Sequence, residues 1–542
     1  MQIEKITLPN LSRLIRDYKN HDTYMMQYFD YLPFADSFDE RIRDLKSRSF
    51  QRDALADALM EQNKEWGAPE QTLDNIDRLR DEDSVVVIGG QQAGLLTGPL
   101  YTVNKAISLI QLARKQEREL GIPVIPVFWI AGEDHDFDEV NHVFMPGADR
   151  THLKKHKLGH HIYEKRSISH IPKDEITAKA WLDGVFGALP ETFRTKELYH
   201  EVLKSLESSQ TYTDFFARLM YQLFPDEGIV LVDSADRSIR LLESDYFVQM
   251  IQHRREIAEQ VHLTRERLLQ AGYAVALDTS PDDGNLFLQY AGERTLLQIS
   301  GNGTWAGKQN ECSLAEAELL EIAKLQPERL SNNVVTRPLM QELLFPTLAF
   351  VGGNGEIAYW SAFKEAFHVL GLKMPPVLPR LSFTFSDAKL DKVLAQLALS
   401  HEEAIIGGTE AKKAHWLATQ MEPPLDKLFE SVQASIIKTH EPLRELAAGI
   451  RDDIRQLAER NIRRIEQEIN FLHSKMTQAV EDKYANRLAG FDYAGARLKP
   501  FGGLQERVWN PLELINRHGG SFISALAAET CSFKEDHYIV HI

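Results

Sequence analysis

The stretch Val85-Val86-Val87-Ile88-Gly89-Gly90-Gln91-Gln92-Ala93-Gly94-Leu95-Leu96-Thr97-Gly98-Pro99-Leu100-Tyr101-Thr102-Val103-Asn104-Lys105 decides the fold. Val85–Ile88 is a continuous apolar run of the kind found in strands buried on both faces. The glycines that follow make a turn without bulky side chains. Thr97 as N-cap and Pro99 in the first turn then open a helix that Gly121 ends. Such a unit points backbone N–H groups and the positive end of a helix dipole at one place, which suits an anion. A second unit of the same kind stands far along the chain, where Leu348–Val351 runs into Gly352-Gly353-Asn354-Gly355-Glu356.

Outward from the first unit, Val124–Ile130 reads as the next strand. It stops at Ala131-Gly132-Glu133-Asp134-His135-Asp136, a polar cluster just past a strand's carboxyl end, where open parallel sheets hold ligands. Gly228–Asp233, Thr347–Val351 and Val377–Phe383 complete five parallel strands, with helices over Thr336–Leu344 and from Glu356 to about Leu370. The fold class is α/β, a parallel-sheet core with two insertions and a helical arm. The expected organisation is N-terminal helices and the first half of the core (1–143), a helical insertion (144–224), and a core strand with helices (225–271). Then come a β-rich insertion with an Asn302-Gly303 turn (272–330), the second half of the core (331–385), a helical coiled-coil domain (386–491), and a C-terminal segment returning to the core (492–542). Strand order is not legible in the sequence.

Two runs at 3–4 spacing mark the coiled coil: Leu425, Leu428, Val432, Ser435, Thr439, Leu443 and Leu446, then Ile462, Ile465, Ile469, Leu472 and Met476. Gly449 as a stop and Asp452/Asp453 as a new start favour an antiparallel hairpin projecting as an arm, whose apolar seam would be a dimer contact; one long helix packed on its own domain is the plainer reading.

Composition narrows the function. The 542 residues carry 79 acidic and 62 basic side chains, a formal net charge of -17, which argues against a large nucleic-acid footprint. Two cysteines, Cys312 and Cys531, cannot build a disulfide framework or a thiolate metal site. The opening Met1-Gln2-Ile3-Glu4-Lys5 lacks the charged-then-apolar pattern of a signal peptide, and no apolar run reaches the ~18–20 residues of a membrane span, so a cytoplasmic protein without a membrane partner is expected.

Gly89 to Gly94 has the spacing of a Walker A loop, but Leu95 and Leu96 stand where its lysine and hydroxyl belong. A dinucleotide-type G-x-G-x-x-G after a strand is also missing. Glu133, Asp134, His135 and Asp136 would suit magnesium or manganese better than structural zinc. Loop capping is the commoner use of such a cluster, and no metal site is assigned. Arg337 and Arg380 are candidate anion contacts, against helix capping by Thr336 and a surface salt bridge as the plainer readings. Tyr359 and Trp360 would flank a ligand or pack the helix.

The segment Thr97–Asn104 resembles the first-strand signature of class I aminoacyl-tRNA synthetases and related nucleotidyltransferases, in which two histidines three apart grip ATP phosphates. Tyr101 and Asn104 occupy those positions, with Lys105 a nearby cation and Arg380 in the place of the companion basic loop. The whole chain resembles the BshC family, the cysteine-adding enzymes of bacillithiol biosynthesis. The resemblance rests on the Gly89–Thr102 segment, Trp129–Asp136, Asn332–Glu342, Lys373–Arg380 and Gln505–Asn510. It implies a Rossmann-like core with two connecting-peptide insertions, a coiled-coil arm and a homodimer. The implied reaction joins L-cysteine to the amine of glucosaminyl-malate, with Mg-ATP as cosubstrate activating the cysteine carboxylate, and without a tightly bound cofactor or zinc. By position, Tyr101, Asn104, His135 and Arg380 are the catalytic candidates. Gly94, Thr97, Gly98, Lys105, Gly352, Gly353, Gly355 and Glu356 would hold the nucleotide, and Asp134, Arg337 and Trp360 the substrate. The Tyr101/Asn104 pair leaves adenylate and acyl-phosphate chemistry both open. The competing class is a non-catalytic nucleotide-binding coiled-coil dimer with a scaffold or regulatory role.

Overall fold

The computed structural model describes the chain except residues 35–37, 148–151, 163, 302 and 421–423. The Asn302-Gly303 turn therefore lies partly outside the described residues. Two compact units result, one taking Met1–Ala148, Lys154–Ser386 and Gln505–Ile542, the other built on Asp387–Leu504.

The first unit is organised by five parallel strands in the order Val377–Pro379, Thr347–Gly352, Val85–Gln91, Val124–Ile130, Val230–Asp233. Numbered by their order in the chain, they run 5-4-1-2-3 across the sheet, the Rossmann order. The direction of winding reverses between the Val85–Gln91 and Thr347–Gly352 strands, and a crevice opens there beyond their carboxyl ends. The strands are apolar throughout because both faces are covered: Val86, Val87, Ile88, Ile125, Val127 and Phe128 are fully buried. Each such side chain contributes roughly 1.5–3 kcal/mol of burial.

The first helix runs Leu100–Leu120, and Gly121, at φ 68°, ends it by donating to Glu117 O. Its start differs from the sequence reading. Pro99 is the N-cap and lacks a side-chain cap bond, while Thr97 stands one turn earlier at φ 68°, between Leu96 (φ 50°) and Gly98 (φ 71°). Three successive left-handed residues, two of them with a Cβ, make a strained loop. Gly94 permits it: a Cβ there would lie 2.8 Å from Gly98 Cα.

Other boundaries also shift. The last strand divides in two: Val377–Pro379 stays in the core sheet, whereas Phe383–Ser386 pairs with the C-terminal strand His537–His541, itself paired with an N-terminal strand Gln2–Ile6. The helix expected from Glu356 to Leu370 is two, Asn354–Trp360 and Lys364–Val369. The β-rich insertion forms a five-stranded antiparallel sheet with Leu330–Asn332 as one edge.

In the second unit, helices Leu425–Ile450 and Asp452–Lys483 fold back on one another. Asp426 with His473 at 2.9 Å, His440 with Asn461 at 3.0 Å and Arg444 with Glu459 at 3.8 Å fix the antiparallel register. The first helix continues through Gly449 and breaks at Arg451, not at the glycine. The inner seam buries His440, Ala447 and Ile462, while Leu428, Val432, Leu443, Leu446 and Leu472 of the expected seam are exposed. No described helix is long and apolar enough to cross a membrane.

Candidate functional site

The crevice at the reversal point is lined by charge. Lys105, 1 % exposed on the inner face of the Leu100–Leu120 helix, donates to Gly90 O at 2.5 Å and to Glu356 Oε2 at 2.6 Å. Glu356 also accepts from Gly353 N at 2.8 Å, in the first turn of the helix after the second glycine unit. Burial would raise the Glu356 carboxyl, but the Lys105 and Arg337 charges outweigh it and hold the group below the usual range. The two glycine units are thus joined by an ion pair across neighbouring strands.

Arg380, following the edge strand, is held by Glu506. Its Nη1 and Nη2 donate to the two carboxylate oxygens at 2.8 and 2.6 Å, and Asn104 Nδ2 donates to the same group at 2.7 Å. Burial opposes the Glu506 charge, yet Arg380 and Asn104 prevail and hold it at about 2. Arg380 also lies 5.8 Å from the centre of the Tyr101 ring. Asn104 is fully buried and turns its amide inward to Glu506. Arg337 differs from these cations: its Nη2 donates to the neutral Tyr359 hydroxyl at 2.7 Å, and its Nε has no hydrogen-bond partner. Lys105, Arg337 and Arg380 therefore meet two carboxylates, Glu356 and Glu506, and one positive charge is left over.

Two cavities adjoin this cluster. One, of about 190 Å³, lies over the start of the Leu100–Leu120 helix between Gly94, Gly98, Tyr101, Glu139, His142 and Arg507. The other, of about 530 Å³, opens beyond the Val124–Ile130 strand and takes in Asp134, His135, Arg294, Asn332, Arg337 and Tyr359. Arg294 lies 3.6 Å over the Phe287 ring, and its Nη1 is 3.2 Å from His135 Nδ1. A guanidinium can only donate, so Nδ1 accepts and the proton of the neutral imidazole sits on Nε2. Burial and the Arg294 charge lower the His135 pKa and favour that neutral form, against the pull of Asp134. Asp134 accepts from Gln92 Nε2 at 2.6 Å. Beneath them Arg240 is buried between Glu133 at 2.5 Å and Glu243 at 2.6 Å.

The sequence candidates separate accordingly. Tyr101, Gly94 and Gly98 line the smaller cavity; Asp134, His135 and Arg337 line the larger. Lys105, Glu356, Asn104 and Arg380 form the ion-pair floor. Thr97 is buried in the strained loop, and its hydroxyl has no hydrogen-bond partner. Gly352 leaves no room for a side chain, since a Cβ would approach Phe350 Cε1 to 2.9 Å; Gly353 and Gly355 are not crowded in this way. Trp360 lines neither of these cavities: at 1 % exposure it stacks on Phe350 with ring centres 4.2 Å apart, and Tyr359 lines the larger one instead.

The sequence reading returned the C-terminal segment to the core and named Gln505–Asn510 as a motif, but gave none of its residues a role in the site. Glu506 holds Arg380, Trp509 O accepts from Leu100 N, and Asn510 Nδ2 donates to both Leu96 O and Gly98 O at 2.8 Å, clamping the strained loop. It also missed Arg294, the partner of His135. A buried Glu-x-x-x-Asn at the far end of the chain carries no local signal of where it returns.

Strand order and the two glycine units at the reversal point define a Rossmann-type protein. The chain belongs to the BshC family. Residues 1–381 match its "Bacillithiol biosynthesis BshC, N-terminal Rossmann-like domain" and residues 383–542 its "C-terminal coiled-coil domain". It is 41 % identical over 547 residues to a protein of Oceanobacillus iheyensis and 40 % over 544 to one of Geobacillus thermodenitrificans. Each pairing covers 100 % of both chains, and both relatives are described as "Putative cysteine ligase BshC". A solved Campylobacter jejuni structure described as a "putative arginyl t-RNA synthetase" covers 89 % of this chain and 100 % of its own at 11 % identity and TM-score 0.23, a likeness too weak to argue from.

Proposed function

We propose that the chain is a ligase that joins L-cysteine to the amine of glucosaminyl-malate, the last step of bacillithiol biosynthesis, with ATP activating the cysteine carboxylate. The observation that carries this reading is the three cations, Lys105, Arg337 and Arg380, set against two carboxylates at the reversal point. An amide-forming ligase must gather a carboxylate and phosphoryl groups at one place, and a surplus positive charge in a low-dielectric crevice stabilises charge developing there.

A nucleotide suits the residues present. Gly94 and Gly98 let backbone approach, and the Tyr101 hydroxyl and the exposed Arg507 would contact phosphate across the smaller cavity. ATP supplies the leaving group that a free carboxylate lacks, and magnesium would accompany it. The cysteine carboxylate attacks a phosphorus, expelling pyrophosphate from the α position or ADP from the γ position. The amine then attacks the activated carbonyl and expels AMP or phosphate. Arg337 is the free cation for the carboxylate. His135 Nε2–H donates to an oxygen of the acceptor, and Asp134 takes the proton that the attacking amine loses. Arg380 and Lys105, already paired, fix the shape of the crevice.

The exposed leucines of the hairpin, Leu443 at 61 % and Leu446 at 65 %, suit a second copy of the chain, giving a homodimer. The scaffold reading would keep nucleotide binding without turnover. Mass spectrometry on purified protein with L-cysteine, glucosaminyl-malate and Mg-ATP tests the proposal. Bacillithiol with AMP and pyrophosphate identifies an adenylating ligase, and ADP with phosphate an acyl-phosphate ligase. Nucleotide binding without product would overturn the catalytic reading.

A further inference from the structure

One side-chain amide ties the two cavities together. Gln92 follows the Val85–Gln91 strand, and its backbone carbonyl accepts from Gly94 N at 2.9 Å to start the first glycine loop. Its side chain lines the smaller cavity with Glu139, yet reaches Asp134, which lines the larger. Nε2 donates to Asp134 Oδ2 at 2.6 Å and to Glu139 Oε2 at 2.9 Å. Both amide hydrogens are therefore spent on carboxylates. The amide has one orientation, because its oxygen turned the other way would face two anionic acceptors. The second Asp134 oxygen, Oδ1, accepts from His135 N at 2.8 Å, and Arg294 Nη1 lies 3.8 Å from it. The backbone beneath is fixed as well: Ala131 N donates to Gln91 O at 3.0 Å across the two strand ends, and Ile168 N to Asp134 O at 2.8 Å.

We infer that Gln92 is a positioning residue for the amide-forming step: it holds the Asp134 carboxylate where the acceptor's amine loses its proton. This rests on the ligase reading above, in which the amine nitrogen bonds the activated carbonyl carbon, AMP or phosphate leaves, and one N–H proton passes to Asp134. A carboxylate swings readily about its last torsion, which is broad and two-fold. His135 N holds one oxygen of Asp134 and Gln92 the other, so the plane of the group is set, and a second lone pair on each oxygen stays free for the proton. At 32 % side-chain exposure the group is still reachable. A neutral amide suits this task better than a cation. Lysine or arginine at this position would set a positive charge against Asp134 and Glu139 and repel the ammonium form of the incoming amine, whereas glutamine orients both carboxylates and leaves their charge in place.

The test compares wild type, Gln92→Met, Asp134→Asn and the double variant on L-cysteine and Mg-ATP, with either glucosaminyl-malate or hydroxylamine as the amine. Hydroxylamine, small and neutral at pH 7, intercepts activated cysteine as a hydroxamate whichever activation chemistry operates, and it gives up its proton to water. Bacillithiol turnover should fall roughly ten- to hundred-fold in Gln92→Met, the scale of a misplaced catalytic group, while hydroxamate formation and KM for ATP stay within about two-fold of wild type. The double variant should be no slower than Asp134→Asn alone, since Gln92 acts through Asp134. Bacillithiol turnover equal to wild type in Gln92→Met would overturn the inference. So would a parallel fall in hydroxamate, which would assign Gln92 to the nucleotide loop, or losses that multiply in the double variant, which would give the two residues separate roles. Should Gln92→Met not fold, Gln92→Glu, of the same shape without either donor hydrogen, is read in the same way. Wild type that yields neither hydroxamate nor bacillithiol would refute the ligase reading itself, an outcome distinct from a Gln92 variant that matches wild type.

Discussion

Replacing Glu506 by Gln should weaken the fold in a pH-dependent way. The carboxylate accepts three hydrogen bonds, two from Arg380 and one from Asn104, and its side chain is 2 % exposed while that of Arg380 is 9 % exposed. A carboxylate held at about 2 rather than its usual 4.5 contributes about 3 kcal/mol at neutral pH. Breaking one side of a buried pair by mutation gives a similar figure, about 3–5 kcal/mol, because the remaining charge is left alone. Because the folded pKa is depressed, the contribution is fully present above 4.5 and fades as pH falls toward 2. Denaturant unfolding, followed by the fluorescence of the buried Trp129 and Trp360 in the same unit, should show Glu506→Gln about 3 kcal/mol less stable at pH 7. About 1 kcal/mol of that gap should be gone by pH 4. A gap that is absent at pH 7, or that stays constant down to pH 4, would refute the assignment of Glu506 as an ionised clamp on Arg380.

Asn510→Ala removes both donors that hold the left-handed loop and should cost about 1–3 kcal/mol, with faster hydrogen exchange at Leu96–Gly98 as the local readout. Gly94→Ala places a Cβ 2.8 Å from Gly98 Cα; the loop must move, and nucleotide affinity by titration should fall at least ten-fold while the rest of the fold persists. Arg337→Gln removes the member of the Lys105, Arg337 and Arg380 cluster that donates to a hydroxyl and not to a carboxylate, and steady-state kinetics should show KM for cysteine raised roughly ten- to hundred-fold, an interaction on the scale of a charge-assisted hydrogen bond. Leu443→Lys with Leu446→Lys should convert a dimer to a monomer in sedimentation equilibrium with helix content unchanged, and a wild-type chain that sediments as a monomer would remove the hairpin as an interface.

The sequence by itself determined the parallel core, because local patterns encode it. Val85–Ile88, Val124–Ile130 and Leu348–Val351 are apolar runs that only a sheet covered on both faces can bury, and glycine at 89, 90 and 94 marks backbone that must approach other backbone. The hairpin was legible for the same reason, since 3–4 periodicity is a property of a single helix. Which face of that hairpin is inward was not: His440, Ala447 and Ile462 fill the seam, leaving Leu443 and Leu446 outside, because pairing depends on the partner helix and not on hydrophobicity alone. Tertiary structure likewise decided the strand order, and so the point at which both glycine units meet. It turned Arg380 and Lys105 from free phosphate ligands into paired charges by bringing Glu506 and Glu356 to them, and it buried Trp360 while leaving Tyr359 in the cleft. An ion pair between residues 126 positions apart is a fact of chain return, and a charge's role depends on what neutralises it. A sequence can name the cation, but only the folded chain shows whether it is already spoken for.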